Sequence, residues 1–113
     1  MADNKKKDQD LTLAEATAEY ERAVAENPGD GQMRFNLGSA YYANGKRDAA
    51  IREFEQALAI SPSFHQARYY LGVLYAQRGD KDNARKELEQ VMNGSAQMML
   101  KNQAKIRIGL LGL

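Results

Sequence analysis

The residues able to do chemistry are few. His65 is the sole histidine and there is no cysteine, so neither a Cys–His nucleophile pair nor a thiolate or multi-histidine metal site can be put together. No glycine-rich phosphate loop, nucleophile elbow or metal-ligand spacing occurs along the chain. What remains are the carboxylates Glu53, Glu55, Glu87 and Glu89, which as pairs could serve as general acid and base. Their neighbours Arg52, Arg85 and Lys86 point instead to a solvated helical face of mixed charge. His65 reads as a residue that caps or rims a helix start. The expectation is therefore no catalytic residue, no metal, no cofactor and no enzyme.

Composition narrows the remaining classes. A chain of 113 residues is one compact domain or a short repeat array. Its net charge of +1 with 27% charged residues does not mark a nucleic-acid binder, and a mean hydropathy of −0.65 argues against a membrane-spanning identity. The absence of cysteine suits a reducing compartment, and MADNKKKDQD at the start lacks a secretory signal's apolar stretch. A cytoplasmic location is the resulting expectation. Proline occurs only at 28 and 62, while Ala, Leu, Glu, Gln, Lys and Arg abound, which favours helix throughout.

The elements that must position any site follow from the pattern. Residues 1–10 are charged and read as a disordered arm. Thr12 with Glu15 forms a capping-box pair ahead of Leu13, Ala16, Tyr20, Ala23 and Val24 at helical spacing, and Asn27-Pro28-Gly29 ends that helix. Sliding the chain by 34 residues then aligns Arg34–Ala57 with Arg68–Val91. Identities fall at Arg34/Arg68, Leu37/Leu71, Gly38/Gly72, Tyr41/Tyr75, Gly45/Gly79, Asp48/Asp82, Ala50/Ala84, Glu53/Glu87, Glu55/Glu89 and Gln56/Gln90. Each unit predicts a first helix running to a glycine (Gly45, Gly79) and a second helix opened by a capping aspartate (Asp48, Asp82). Gly38 and Ala50 are small where the two helices touch, and Leu37, Tyr41, Phe54 and Leu58 supply bulk around them.

This pattern resembles the tetratricopeptide repeat, with Leu37-Gly38, Tyr41, Ala50, Phe54 and Pro62 in one copy and Leu71-Gly72, Tyr75, Ala84 and Leu88 in the next. The segment LTLAEATAEYERAVAENP matches a second helix alone. Arg34 and Arg68 stand where the family usually has Trp or another large apolar group; their stems are expected to cover the core edge while the guanidinium reaches water. AKIRIGLLGL, Ala104 to Leu113, aligns with Ala67–Ala76 at 37 residues, which makes it a first helix and assigns three extra residues to the connection around Asn93–Gln97. The resemblance implies an all-α, right-handed helix-turn-helix solenoid of about six helices. Its parts would be a half repeat at 11–30, full repeats at 31–64 and 65–98, and a C-terminal helix at 99–113.

In such a solenoid the first helices line a concave groove. The expected groove face is Gln32, Phe35, Ser39 and Tyr42, then Gln66, Tyr69, Val73 and Ala76, continued by Gln103, Ile106, Leu110 and Leu113. Chaperone-binding members grip a terminal carboxylate with Lys and Asn one turn apart, but those places hold Phe35/Ser39 and Tyr69/Val73 here. An apolar or helical protein segment is the implied ligand. The tail adds Ile106, Ile108, Leu110, Leu111 and Leu113, at about 1.5 to 3 kcal/mol per buried side chain too much apolar surface to leave in water. It is a candidate docking helix. It could dock another protein, or complete a repeat with the unpaired first helix of a neighbouring copy. It could also lie on an anionic membrane, for which Lys101, Lys105 and Arg107 are few charges. The function implied is a protein–protein interaction module, an adaptor or an assembly scaffold.

Overall fold

The computed structural model describes residues 12–112. The expected disordered arm at 1–10 and Leu113 of the docking helix lie outside the described residues. Those described form six α-helices and no strand: α1 Leu13–Glu26, α2 Gly31–Ala43, α3 Arg47–Ile60, α4 His65–Gln77, α5 Lys81–Asn93 and α6 Met98–Gly109. Each helix packs on the next in chain order, and α4 also meets α6. The result is an all-α helical repeat, 53 × 30 × 26 Å along its principal axes.

Local chemistry sets the helix ends. Thr12 Oγ1 accepts from the Glu15 amide at 3.1 Å, and Asp30 caps α2 by accepting from Met33 at 3.1 Å. Gly45 (φ +75°) and Gly79 (φ +88°) close α2 and α4 in the left-handed conformation. There Lys46 N bonds Tyr41 O, and Asp80 N bonds Tyr75 O, both at 2.9 Å, in a Schellman arrangement. The following helix starts almost at once, which corrects the expected caps. Asp48 and Asp82 are not N-caps but lie inside the first turns of α3 and α5, where their charge suits the helix dipole. The α5 cap is Asp80, accepting from Asn83 N at 3.3 Å, and at α3 the cap position is Lys46, with no side-chain cap bond. The Asp80 carboxyl is held below the usual range, first by the hydrogen bond from the Asn83 side chain and then by that from its backbone.

Packing follows the repeat. One core gathers Ala50, Ile51, Phe54, Ala57, Ala67, Leu71 and Leu74. A second gathers Tyr69, Val73, Ala84, Leu88, Val91, Ala96, Ala104 and Leu111. Gly38 is where Phe54 enters: a Cβ there would lie 2.9 Å from two ring carbons of Phe54. At Gly72 it would lie 2.8 Å from Leu88 Cγ. The small residue sets how closely the two helices of a pair approach.

A polar network repeats in the same register, and it revises two expectations. The Arg34 guanidinium does not simply reach water: it pairs with Glu53 at 3.0 Å and donates to the Pro28 carbonyl at 3.1 Å. Arg68 repeats this with Glu87 at 2.9 Å and Pro62 O at 3.0 Å. Glu53 and Glu87 are accordingly not on a solvated face, their side chains being 16% and 13% exposed. Tyr41 donates to Glu21 at 2.7 Å and Tyr75 to Glu55 at 3.0 Å, each tying a first helix to the preceding second helix. Burial, then the hydrogen bond to the carboxylate, pushes both phenols up to about 12.

The last helix keeps the 37-residue register in its core contacts. Ala104 and Leu111 are buried and Ile108 packs against them, in the places of Ala67, Leu74 and Leu71. The three extra residues, however, do not lengthen the loop. Four residues, 94–97, join α5 to α6, as four residues, 61–64, join α3 to α4. The addition is absorbed as an extra first turn of α6, which keeps the helical faces nearly in phase because three residues approximate one turn. Gly112, at φ +76°, follows the early end of α6, so Leu110 and Leu111 sit in the terminal turn rather than in a helix reaching 113.

Candidate interaction surface

Two shallow cavities occupy matching positions along one face. The first, about 230 Å³, is walled by Ser39, Tyr42 and Ala43 of α2, Phe54 of α3 and Tyr70 of α4. The second, about 210 Å³, is walled by Val73, Ala76 and Gln77 of α4, Leu88 of α5, Arg107 of α6, and Leu110 and Leu111 just after it. The linings correspond pair by pair: Ser39/Val73, Tyr42/Ala76, Ala43/Gln77 and Phe54/Leu88 at 34 residues, and Tyr70/Arg107 at 37. The same helix–turn–helix geometry makes the same hollow twice, but with different chemistry. The first is aromatic. The second is aliphatic with a guanidinium at its edge.

Aromatic packing fixes the first hollow. Tyr70, 39% exposed, lies 6.0 Å from Phe54, and 6.1 Å from both Phe35 and Tyr42, centre to centre. Phe35 stacks on Phe64 at 4.8 Å. Gln77 Nε2 donates to the Tyr42 hydroxyl at 3.1 Å, holding that ring between α2 and α4. In the second hollow Arg107 Nε donates to the Tyr69 hydroxyl at 3.2 Å. Both hollows combine apolar walls with a few oriented polar groups.

The residues expected on the groove separate into groups. Ser39, Tyr42, Val73 and Ala76 line the two hollows. Phe35 is half-buried among Phe54, Phe64 and Tyr70. Tyr69 is 8% exposed and Val73 3%, covered by α6, so Tyr69 belongs chiefly to the second core. Gln32 is exposed and donates to Asn36 at 3.0 Å. Gln66 borders a different hollow of about 290 Å³ with His65, Gln97, Met99, Leu100 and Gln103. There His65 Nε2 lies 3.3 Å from Ser95 Oγ, at the first residue of α4. Tyr70, Gln77 and Arg107 also line the hollows, outside the expected face. Gln66, Tyr70, Val73 and Gln77 do follow helical spacing, but the 34-residue register drew attention to Tyr69 as the partner of Phe35.

The tail aliphatics divide as well. Leu111 is 6% exposed and Ile108 is partly buried, whereas Ile106 and Leu110 remain 63% and 72% exposed. Among the described residues no group of three His, Cys, Asp or Glu side chains converges as a metal site, and no helix is long and apolar enough to cross a membrane.

A sequence profile of the tetratricopeptide repeat matches residues 12–63 and again 37–95. No curated protein matches by sequence. Among solved structures, the type III secretion translocator chaperone SycD of Yersinia enterocolitica superposes with a TM-score of 0.82 at 14% identity, over 88% of this chain and 71% of SycD. SycD has also been solved in complex with a peptide of the translocator YopD. MamA gives a TM-score of 0.77 at 24% identity, over 88% of this chain and 56% of MamA. The P58(IPK) TPR domain gives 0.82 at 22%, over 88% of this chain and 28% of that one. At these identities the likeness is one of fold, and the chain spans about half of the MamA structure.

Proposed function

The chain belongs to the tetratricopeptide repeat family, and on that footing we propose that it is a non-catalytic, cytoplasmic adaptor or assembly scaffold that receives a protein segment along the face bearing the two hollows. The observation that carries this reading is the repetition of one hollow in two chemistries. A bound segment would place an apolar or aromatic side chain against Tyr42 and Tyr70. A second side chain, aliphatic with a hydrogen-bond acceptor beside it, would meet Leu110, Leu111 and Arg107. The peptide complex of SycD lends support by analogy of fold. A Lys/Asn carboxylate clamp has no counterpart on this face, so an internal segment suits it better than a free C-terminus.

The test begins with a random peptide library panned against the full chain. Affinities of the recovered peptides are then compared on the native chain, Tyr42→Ala and Arg107→Ala, with circular dichroism to confirm folding. Each substitution should weaken binding by about five- to thirtyfold, the range of a side chain that contributes 1–2 kcal/mol. Peptides that bind both variants as tightly as the native chain would remove the hollows from the account.

A further inference from the structure

The two ends of the array are complementary. Both complete repeats among the described residues are closed by the same two contacts, a large side chain of the second helix set against a glycine of the first, and an acid of the second helix paired with a cation of the first. Phe54 meets Gly38 and Leu88 meets Gly72; Glu53 pairs with Arg34 and Glu87 with Arg68. α6 is a first helix by its core contacts, and its glycine is Gly109. Unlike its two counterparts, Gly109 has nothing among the described residues within 4 Å of where a Cβ would stand. Its cation, in the place of Arg68, is the exposed Lys105. α1 is a second helix by its register. Its large residue in the place of Phe54 is Tyr20, and its acid in the place of Glu53 is the exposed Glu19. Ala50, Phe54 and Ala57 are fully buried, yet their counterparts Ala16, Tyr20 and Ala23 are only half-buried.

We infer that α1 of a second copy of this chain docks on α6, closing a repeat between molecules with Tyr20 against Gly109 and Glu19 against Lys105. Charge favours the same match along both helices. α1 carries Glu15, Glu19, Glu21 and Glu26 against Arg22 alone, and α6 carries Lys101, Lys105 and Arg107 with no acid. Tyr20 fits because Gly109 leaves the depth that Gly38 leaves for Phe54. The next helix of the docked copy, its α2, then passes over Ile106 and Leu110 as α6 passes over Tyr69 and Val73, which accounts for two large aliphatics left 63% and 72% exposed in the single chain. The contact joins unlike surfaces, so copies add head to tail. This inference does not rest on the groove reading: its surfaces are the two ends of the array, and of its contact residues it shares only Leu110 with the second hollow.

The experiment is sedimentation of the full chain over micromolar to millimolar concentration, with Gly109→Leu, Lys105→Glu, Glu19→Lys and an equimolar mixture of the last two. The native chain should gain mass with concentration, through dimer to larger species. Gly109→Leu puts a side chain where none of the described residues stands, so folding by circular dichroism is kept while self-association falls by roughly ten- to a hundredfold. That direction separates a fitted junction from general stickiness, which an added leucine would increase. Lys105→Glu and Glu19→Lys should each associate several-fold more weakly, and mixing them should restore association because both junctions then pair opposite charges. A chain that stays monomeric throughout overturns the inference. So does a Gly109→Leu chain that associates as tightly as the native one, or a mixture no tighter than its separate components.

Discussion

Replacing Gly38 by alanine should destabilise the protein although alanine is the better helix former. Gly38 lies inside α2, where the exchange alone would favour folding by about 1 kcal/mol. Against this, the new Cβ would stand 2.9 Å from Cδ1 and Cε1 of Phe54 and 3.2 Å from Cζ, when carbon atoms rest at about 3.5–4.0 Å. The Phe54 ring is fully buried, with Phe35 at 5.6 Å and Tyr70 at 6.0 Å between centroids, so it can yield only by breaking that aromatic packing toward the hollow that it walls. Overpacking of this kind costs about 3 kcal/mol, leaving a net loss of about 2 kcal/mol. The assay is urea unfolding followed by helical ellipticity, at a concentration low enough to exclude association. Gly109→Ala is the control, because its Cβ meets none of the described residues within 4 Å and should leave stability unchanged or slightly raised. Pairing Gly38→Ala with Phe54→Leu should give a loss smaller than the sum of the two singles, since the smaller side chain restores the missing space. A Gly38→Ala chain as stable as the native protein, or strict additivity with Phe54→Leu, would refute the close-approach argument.

Other expectations are more briefly put. Asp80→Ala should lower the melting temperature through the lost α5 cap, whereas Asp82→Ala and Asp48→Ala should shift it much less; thermal melts of the three variants compare them. Arg68→Met and Glu87→Gln should each destabilise by about 2 kcal/mol, because either change strands a largely buried partner, and a double-mutant cycle should show strong coupling between them. Tyr41 and Tyr75 hold their protons to about 12 in the folded chain, against 10.0 for an unperturbed phenol. Between those values the folded state binds more protons than the unfolded one, so stability should fall as pH rises through that window and be untouched by these groups below it. Denaturation midpoints measured from pH 9 to 12 should therefore drop less steeply in Tyr41→Phe/Tyr75→Phe than in the native chain.

The helices were legible in the sequence because the signals that make them are local: Thr12 and Glu15 at one start, the glycines 45 and 79 at two ends, and aliphatics at helical spacing between. Gly38 and Gly72 were legible as contact points because small and large residues recur together at 34 residues. The capping aspartates were misplaced by position, since Gly45 and Gly79 turn the chain so tightly that the next helix begins within two residues. The Arg–Glu pairs lay in plain view among the identities, 19 residues apart in each copy. Their spacing alone reads as a solvated face, because charge on a helix usually is solvated and nothing local says that Pro28 and Pro62 aim their carbonyls at the guanidinium. Tyr70 has no local signal of its place in the first hollow. Its role comes from how α4 is set against α2, and that rotation between successive repeats is written in the packing of several side chains rather than in any one spacing.

The tyrosine–carboxylate bonds have a consequence for how the array comes apart. Arg34–Glu53 and Arg68–Glu87 join helices of one pair, but Tyr41–Glu21 and Tyr75–Glu55 cross from one pair to the next. In the language of a linear chain of units, the first set contributes to the intrinsic stability of each unit and the second to the coupling between neighbours. Only the coupling set carries a titratable proton that leaves near pH 12. Alkali should thus loosen the seams before the units themselves, turning one sharp cooperative transition into a broader, stepwise fraying from the ends inward.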